Sequence, residues 1–573
     1  MNALSVHDQL TRAFADALST ALSLPLEEVL PLVKPAEATH GDLSFPTFGL
    51  AKTLRKAPAA IASGLAGTLQ VPGMSVAAAG PYVNARFESA PFVAAVLQEV
   101  RGLNQRYGSG VEGAGKTVVI DYSSPNIAKP IGFHHIRTTV LGHALANLHR
   151  HLGYRVEGIN YLGDWGKQFG LVAVGFEVFG DASQRHDMGH LVDVYVKANA
   201  RAEADPAFDE KARAFFRHME QGDAEALAVW KEFREASLAG FEPLYARLGI
   251  RFEHLEGESR YEGRMEQVIA EIARTVGVRE SEGALVVDLP YTDNEPPILL
   301  KKSDGSTLYA TRDLAAAEDR WERFHFERSL YVVARDQALH FAQLFRVLKA
   351  IGKPWADRCI HVAFGRIAGM STRKGEVVLL TDVLDEAHAR ALDKVRENQA
   401  AGRIHTEDAE TLAEQVGLGA VVFGDLKNRR NSDYTFDWDE VLSFEGHTGP
   451  YLQYAHARSC SLLTKGGGVP EGADPAGLTL PEEEALVRAL ALFPRAVRGA
   501  TEAYEPSFVA SHLLEVAAAF SRWYTLGNQD RTKRVLVEED ARARAARLAL
   551  ADAVRITLSV GLSLLGIPTP ENM

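Results

Sequence analysis

Thr117-Val118-Val119-Ile120-Asp121-Tyr122-Ser123-Ser124-Pro125-Asn126-Ile127-Ala128-Lys129-Pro130 is the stretch on which the reading of the chain turns. Its opening residues, Thr117 to Ile120, form an apolar run that predicts a buried strand. From about His135 to Leu152 apolar residues recur at helical spacing, and Gly153 supplies a stop signal. A polar, proline-containing loop therefore joins a strand to a helix N-terminus. In α/β sheets that is where backbone N–H groups and the positive end of the helix dipole converge on phosphates. Lys129, His134, His135 and Arg137 bring cationic or hydrogen-bonding side chains to the same place. The stretch predicts a nucleotide site.

Working outward, strand and helix patterns alternate from Lys116 to about Asp439, the sign of a parallel sheet. Arg155 to Asn160 reads as the second strand, and strand signals resume at Tyr331–Ala334 and Cys359–Phe364. A charged, irregular stretch from about Ser183 to Glu258 reads as an insertion. Residues 1–110 mix helical pattern with short strands such as Tyr82–Phe87 and predict a small α+β domain, followed by a glycine-rich linker at Gly108–Gly115. Beyond about 441 the pattern is all helical, with a loop at Lys465–Gly472. The predicted organisation is thus a small α+β domain (1–110), an α/β, Rossmann-like parallel-sheet domain (111–440, insertion 183–258) and an all-α C-terminal domain (441–573).

The 573 residues suit several domains, and 46% hydrophobic residues supply sizeable cores. Cys359 and Cys460 lie far apart and match neither a zinc nor a disulfide pattern, so no structural zinc and a reducing cytoplasm are expected. The N-terminus lacks signal-peptide organisation, and no apolar run has the length of a membrane span, so no membrane partner is expected. A net charge of −13 argues against nucleic acid wrapped over the whole surface, while leaving room for local basic strips.

Two runs carry a resemblance. Ser123-Ser124-Pro125-Asn126-Ile127-Ala128-Lys129-Pro130 and Ile159-Asn160-Tyr161-Leu162-Gly163-Asp164-Trp165-Gly166-Lys167-Gln168-Phe169-Gly170 are similar to the pattern of arginyl-tRNA synthetases, a class I aminoacyl-tRNA synthetase family. The family's HIGH signature falls on Gly132-Phe133-His134-His135, where only the last histidine is kept. Its KMSKS signature falls on Gly369-Met370-Ser371-Thr372-Arg373, followed by Lys374 and Gly375; both signature lysines are absent. Many relatives lack the second lysine, and Lys129 matches the upstream lysine thought to replace it.

The resemblance assigns roles. It places ATP against Gly132, Phe133, His134, His135, Gln337, Met370 and Ser371, with Lys129, His135, Arg373 and Lys374 taking the phosphate charge. It places arginine against Asn126, Asn160, Tyr309, Asp313 and Gln337. Read from the residues alone, Tyr309 and Asp313 share one face of a helix capped near Ser306, and a carboxylate beside a phenol suits a guanidinium. An exposed Asp and a half-buried Tyr pairing with Arg312 or Arg320 fits the same spacing. Gln337 follows a strand, the position where α/β ligands bind. Asn126 and Asn160 also follow strands and read equally as turn or cap residues.

His40–Pro46 and Gly80–Asn84 resemble the family's N-terminal domain, which contacts the tRNA elbow, and Asn84 is assigned to that contact. Gly449–Arg458 and Gly566–Met573 resemble its anticodon-binding domain. There Tyr451, Tyr454, Trp523 and Tyr524 are expected to stack on bases, and Arg542, Arg544, Arg547 and Met573 to meet the tRNA. Core packing and a solvated helix face are the competing readings. The implied activity is ATP-dependent ligation of L-arginine to tRNA(Arg), with Mg2+ carried by ATP and a monomer as the working unit. Similar enzymes activate arginine only with tRNA bound. The rivals are a non-catalytic protein that binds tRNA or arginine, motivated by Gly132, His134 and Gly369, and another class I synthetase.

Overall fold

The computed structural model describes residues 4–37, 39–127, 129–289, 296–301, 309–369, 378–402, 404 and 406–573, with Tyr309 described by its backbone. Five strands build the central sheet: β1 (Thr117–Asp121), β2 (Arg155–Leu162), β3 (His254–Gly257), β4 (Arg328–Tyr331) and β5 (Cys359–His361). All are parallel, in the order β3-β2-β1-β4-β5. The chain adds β2 and β3 on one side of β1, then returns to lay β4 on the other. The carboxyl ends of β1 and β4 therefore flank the switch point where ligands bind in such sheets. Val118, Val119, Ile120 and Leu330 are fully buried, as strands covered on both faces require.

Helix α1 (Ile136–His151) joins β1 to β2 over nearly the predicted span. Gly153 ends it at φ +83°, a left-handed turn in which a side chain is strained. β4 begins at Arg328, three residues before the run read as strand. Val332 still donates to the Asp121 carbonyl (2.9 Å), after which the chain leaves the ladder at the switch point. Two more helices position the site: α2 (Tyr309–Phe324) and α3 (Ala338–Ala350), which follows β4. A short parallel pair, β6 (Ile367–Ala368) and β7 (Tyr434–Thr435), lies beyond β5 in sequence.

The stretch expected to be irregular is helical. Between β2 and β3 stand helices Lys167–Phe179, Met188–Ala204, Pro206–Glu220 and Ala224–Arg247. The last three each begin at an aspartate (Asp187, Asp205, Asp223) whose carboxylate accepts a backbone N–H of the first turn. These caps, unread in the sequence, start helices whose apolar faces form two small clusters of their own, around Phe233 and Phe208.

At the N-terminus an antiparallel sheet orders Lys34–Pro35, Leu43–Pro46, Tyr82–Phe87 and Met74–Ala79. Helix Ser89–Leu103 leads away from it, and Tyr107 then stacks on Phe493 and donates to the Leu490 carbonyl (2.7 Å) of the C-terminal helices. Those helices include Gly449–Gly466, Pro481–Ala491, Ser507–Gln529 and Ala541–Leu564. Among the described residues no helix is long and apolar enough to cross a membrane.

Candidate active site

The loop after β1 is strained and heavily tied. Ser123 (φ +72°) and Ser124 (φ +47°) are consecutive left-handed residues, and such conformations cost about 1–3 kcal/mol each for side chains other than glycine. Hydrogen bonds from α1, β2 and the insertion hold them. The Ser123 N–H donates to Thr138 Oγ1 (3.1 Å) of α1, and the Ser124 N–H to Asn160 Oδ1 (3.0 Å) at the end of β2. Ser124 Oγ donates to Asp121 (2.8 Å), and Ser123 Oγ bonds the Tyr245 hydroxyl (2.8 Å) from the insertion.

Asn160 is fully buried, and its Nδ2 also donates to Tyr245 (3.0 Å). The structure therefore ties its amide to the loop through Ser124 and to the insertion through Tyr245. Asn126, by contrast, is exposed, and its backbone bridges to Gly163. A Cβ on Gly163 would stand 2.0 Å from Asn126 Oδ1, so glycine is what admits that side chain.

The first predicted ATP signature is joined to the segment that follows the second in sequence. The Phe133 N–H donates to the Val378 carbonyl (2.8 Å), and the Leu380 N–H to the Ile131 carbonyl (2.9 Å). Gly132 is buried where it bridges to Leu379, and Phe133 packs edge-on against Phe436. His134 is exposed and His135 half-buried, with ring centroids 4.1 Å apart. Burial, helped by His134, takes His135 down to about 4. Its ring is therefore neutral at pH 7 in this structure. Among the described residues its buried Nδ1 has no side-chain partner. Lys129 Nζ lies 5.0 Å from the ring centroid of Tyr195, on an insertion helix.

Gly369 has a physical reason to replace the signature lysine. Its φ is +91°, and a Cβ there would stand 2.7 Å from the Phe436 carbonyl oxygen. Met370, Ser371, Thr372, Arg373, Lys374 and Gly375 lie outside the described residues, as do Ser306 and the side chain of Tyr309.

On α2, Asp313 stands one turn after Tyr309 and is held by His340 Nε2 (2.7 Å) of α3. Neither alternative partner reaches it. Arg312 faces Glu258 (3.5 Å) and Glu262 (3.8 Å), while Arg320, sandwiched between the rings of Tyr161 and Tyr331, binds Asp121 (2.7 Å). Burial, offset by Arg312 and reinforced by Asp313, pushes the Glu258 carboxyl up to about 7. Gln337 is exposed at the start of α3, directly after the switch-point strand. Sequence reasoning missed His340 and Glu258; His340, one helical turn past Gln337, was the more accessible signal.

The residues expected to meet tRNA divide. Arg542 is exposed, Arg544 half-buried, and Tyr451, Tyr454, Tyr524 and Met573 are partly exposed. The Arg458 guanidinium sits between the rings of Tyr454 (4.5 Å) and Tyr524 (4.6 Å). Three residues are corrected. Arg547 is buried, donating to Glu483 (2.7 Å) and to the carbonyls of Thr532 and Arg534. Trp523 is buried against the same Glu483, and Asn84 is buried in the N-terminal sheet.

A five-stranded parallel sheet with a tied loop after β1, joined to the segment 378–380, is the frame of a class I aminoacyl-tRNA synthetase catalytic domain. Residues 98–438 match the family model described as tRNA synthetases class I (R), catalytic domain. Residues 8–87 match the arginyl tRNA synthetase N terminal domain and 452–573 the DALR anticodon binding domain. The chain is 43% identical over 571 residues to the arginine–tRNA ligase of Lactococcus lactis subsp. cremoris (strain SK11), covering 98% of this chain and 99% of that protein. It is 42% identical over 578 residues to the arginine–tRNA ligase of Exiguobacterium sibiricum, covering 100% of both. Its fold matches Thermus thermophilus arginyl-tRNA synthetase with a TM-score of 0.81 at 28% identity, over 98% of this chain and 100% of that one. The chain belongs to the arginyl-tRNA synthetase family and is an aminoacyl-tRNA ligase.

Proposed function

We propose that the chain ligates L-arginine to tRNA(Arg) in two steps. An oxygen of the arginine carboxylate attacks the α-phosphorus of ATP, the bond to the β-phosphate oxygen breaks, and pyrophosphate leaves. The 2′-hydroxyl of the terminal adenosine then attacks the carbonyl carbon of arginyl-adenylate and expels AMP. The observation that carries this reading is the joining of Ile131–Phe133, on the first signature, to Val378–Leu380, which follow the second in sequence.

In this reading Asp313, aimed by His340, takes the guanidinium. Asn126 and Gln337 bind the rest of the amino acid, and Gln337 also the ribose. Lys129, Arg373 and Lys374 neutralise phosphate charge; His135, with Gly132, Phe133 and His134, Met370 and Ser371, completes the ATP site. Magnesium arrives on the ATP phosphates. The reading places the enzyme in the cytoplasm and takes a monomer as its working unit, since each chain carries all these groups. The structural need for glycine at Gly369 removes one motive for a non-catalytic binder.

The test is charging of labelled arginine onto total tRNA with ATP and magnesium. Acid-stable, ATP-dependent arginyl-tRNA is the expected product. Folded protein that binds tRNA yet yields none would overturn the reading.

A further inference from the structure

One loop, Arg429 to Tyr434, gathers every described segment that carries the proposed ATP contacts near the switch point, apart from the strand-β1 loop. Arg137, at the first turn of α1, reaches it first. Its side chain is 1% exposed, and its guanidinium donates to the carbonyls of Ser432 (2.8 Å) and Arg429 (3.2 Å). It lies 3.6 Å from the Asp425 carboxylate and over the ring of Tyr434 at 5.1 Å. A planar donor fork is the group that can bind two carbonyls and face a carboxylate at once.

The Gln337 turn reaches the same loop from the other side. Arg335 donates to Asp433 (2.7 Å), and Asp336 pairs with Arg366 (2.9 Å), whose own N–H donates to Asp433 (2.6 Å). The strand before the second signature is laddered onto it as well: the Tyr434 N–H donates to Arg366 O (3.2 Å) and the Phe436 N–H to Ala368 O (2.9 Å). Glu505, from the helical C-terminal domain, accepts the Arg430 N–H (3.1 Å).

We infer that the 429–434 loop sets the relative positions of the ATP-binding segments, with Arg137 and Asp433 as its positioning residues. Neither touches ATP. Arg137 fixes the histidine-bearing end of α1, and Asp433 fixes the Gln337 turn and the entry to the second signature. The inference rests on the proposed ATP site. A purely structural role predicts lower stability with unchanged substrate constants; a positioning role predicts a selective loss on ATP, because a displacement of about 1 Å in a reacting geometry costs up to about a hundredfold in rate.

The experiment compares wild type, Asp433→Asn, Arg137→Lys and Arg137→Met. It measures Mg-ATP affinity by calorimetry, and ATP and arginine KM by pyrophosphate exchange with tRNA present. Asp433→Asn, an exposed site, and Arg137→Lys are expected to stay folded and to weaken ATP about three- to tenfold, with Arg137→Met weaker still and arginine KM within about twofold of wild type. Unchanged ATP constants in folded Asp433→Asn and Arg137→Lys, or equal rises for ATP and arginine, would overturn the inference. If Arg137→Met does not fold, the first two variants decide. Wild type that binds Mg-ATP without exchange would sink the proposed function, while the calorimetric arm still judges the loop.

Discussion

The switch-point site and the C-terminal helices both present arginines and aromatics in motif-like runs, and the structure treats them differently. At the switch point, a loop that strand and helix signals mark locally is joined to a distant segment: the Phe133 N–H donates to the Val378 carbonyl and the Leu380 N–H to the Ile131 carbonyl. In helix Ala541–Leu564, two arginines five residues apart part company. Arg542 points to solvent beside Asp474, whereas Arg547 turns inward to Glu483. Glu483 is fully buried and also accepts the N–H groups of Thr479 (2.8 Å) and Leu480 (2.9 Å), closing the start of its own helix. A loop between a strand and a helix has its geometry dictated locally. A charge on an amphipathic helix takes its role from whatever packs against that face, which lies elsewhere in the chain.

The largest effect that would sharpen this contrast is on stability. Arg547→Met strands the Glu483 carboxylate without its cation, and breaking a buried pair in this way costs about 3–5 kcal/mol. Chemical denaturation followed through the C-terminal helices should show that loss. A change no larger than that of a surface arginine would return Arg547 to the RNA-facing strip. Next is Asp313→Ala, which removes the carboxylate held by His340. Loss of a charge-assisted, bidentate partner of about 2–4 kcal/mol should raise the arginine KM by two decades or so while leaving tRNA affinity near wild type. An unchanged arginine KM would take Asp313 out of the pocket and leave α2 as scaffold.

How far the sequence reached follows the same division. β1, α1 and the Gly153 stop were legible because strand, loop and helix signals abut. Gln337 and Asp313 stand out in the sequence one at a time, but the His340 partner of Asp313, 27 residues away, enters only once β4 and α3 stand beside α2. Asn160 stands out for its place after a strand, while its partner Tyr245 arrives from 85 residues away, out of the helical insertion. That insertion was misread as irregular because its helices bury few residues each and rely on aspartate caps, which a hydrophobic pattern does not record. Arg547 and Trp523 share the same cause: Glu483 lies 64 and 40 residues away.

The smallest effect is also the most discriminating. Arg542 and its partner Asp474 are both exposed, so Arg542→Ala should leave the unfolding midpoint where it is. If the outward face of this helix meets RNA phosphates, the same substitution weakens tRNA binding across sequences and lowers the slope of log affinity against log salt by about 1. Asp474 then acts as a competitor that the phosphate displaces, so Asp474→Asn should tighten tRNA binding modestly and by a salt-sensitive amount. An unchanged salt slope in Arg542→Ala would mean that helix Ala541–Leu564 contributes packing alone. The anticodon face would then lie with Tyr451, Tyr454, Arg458 and Tyr524, where the Arg458 guanidinium holds two partly exposed tyrosine rings whose free faces suit a base.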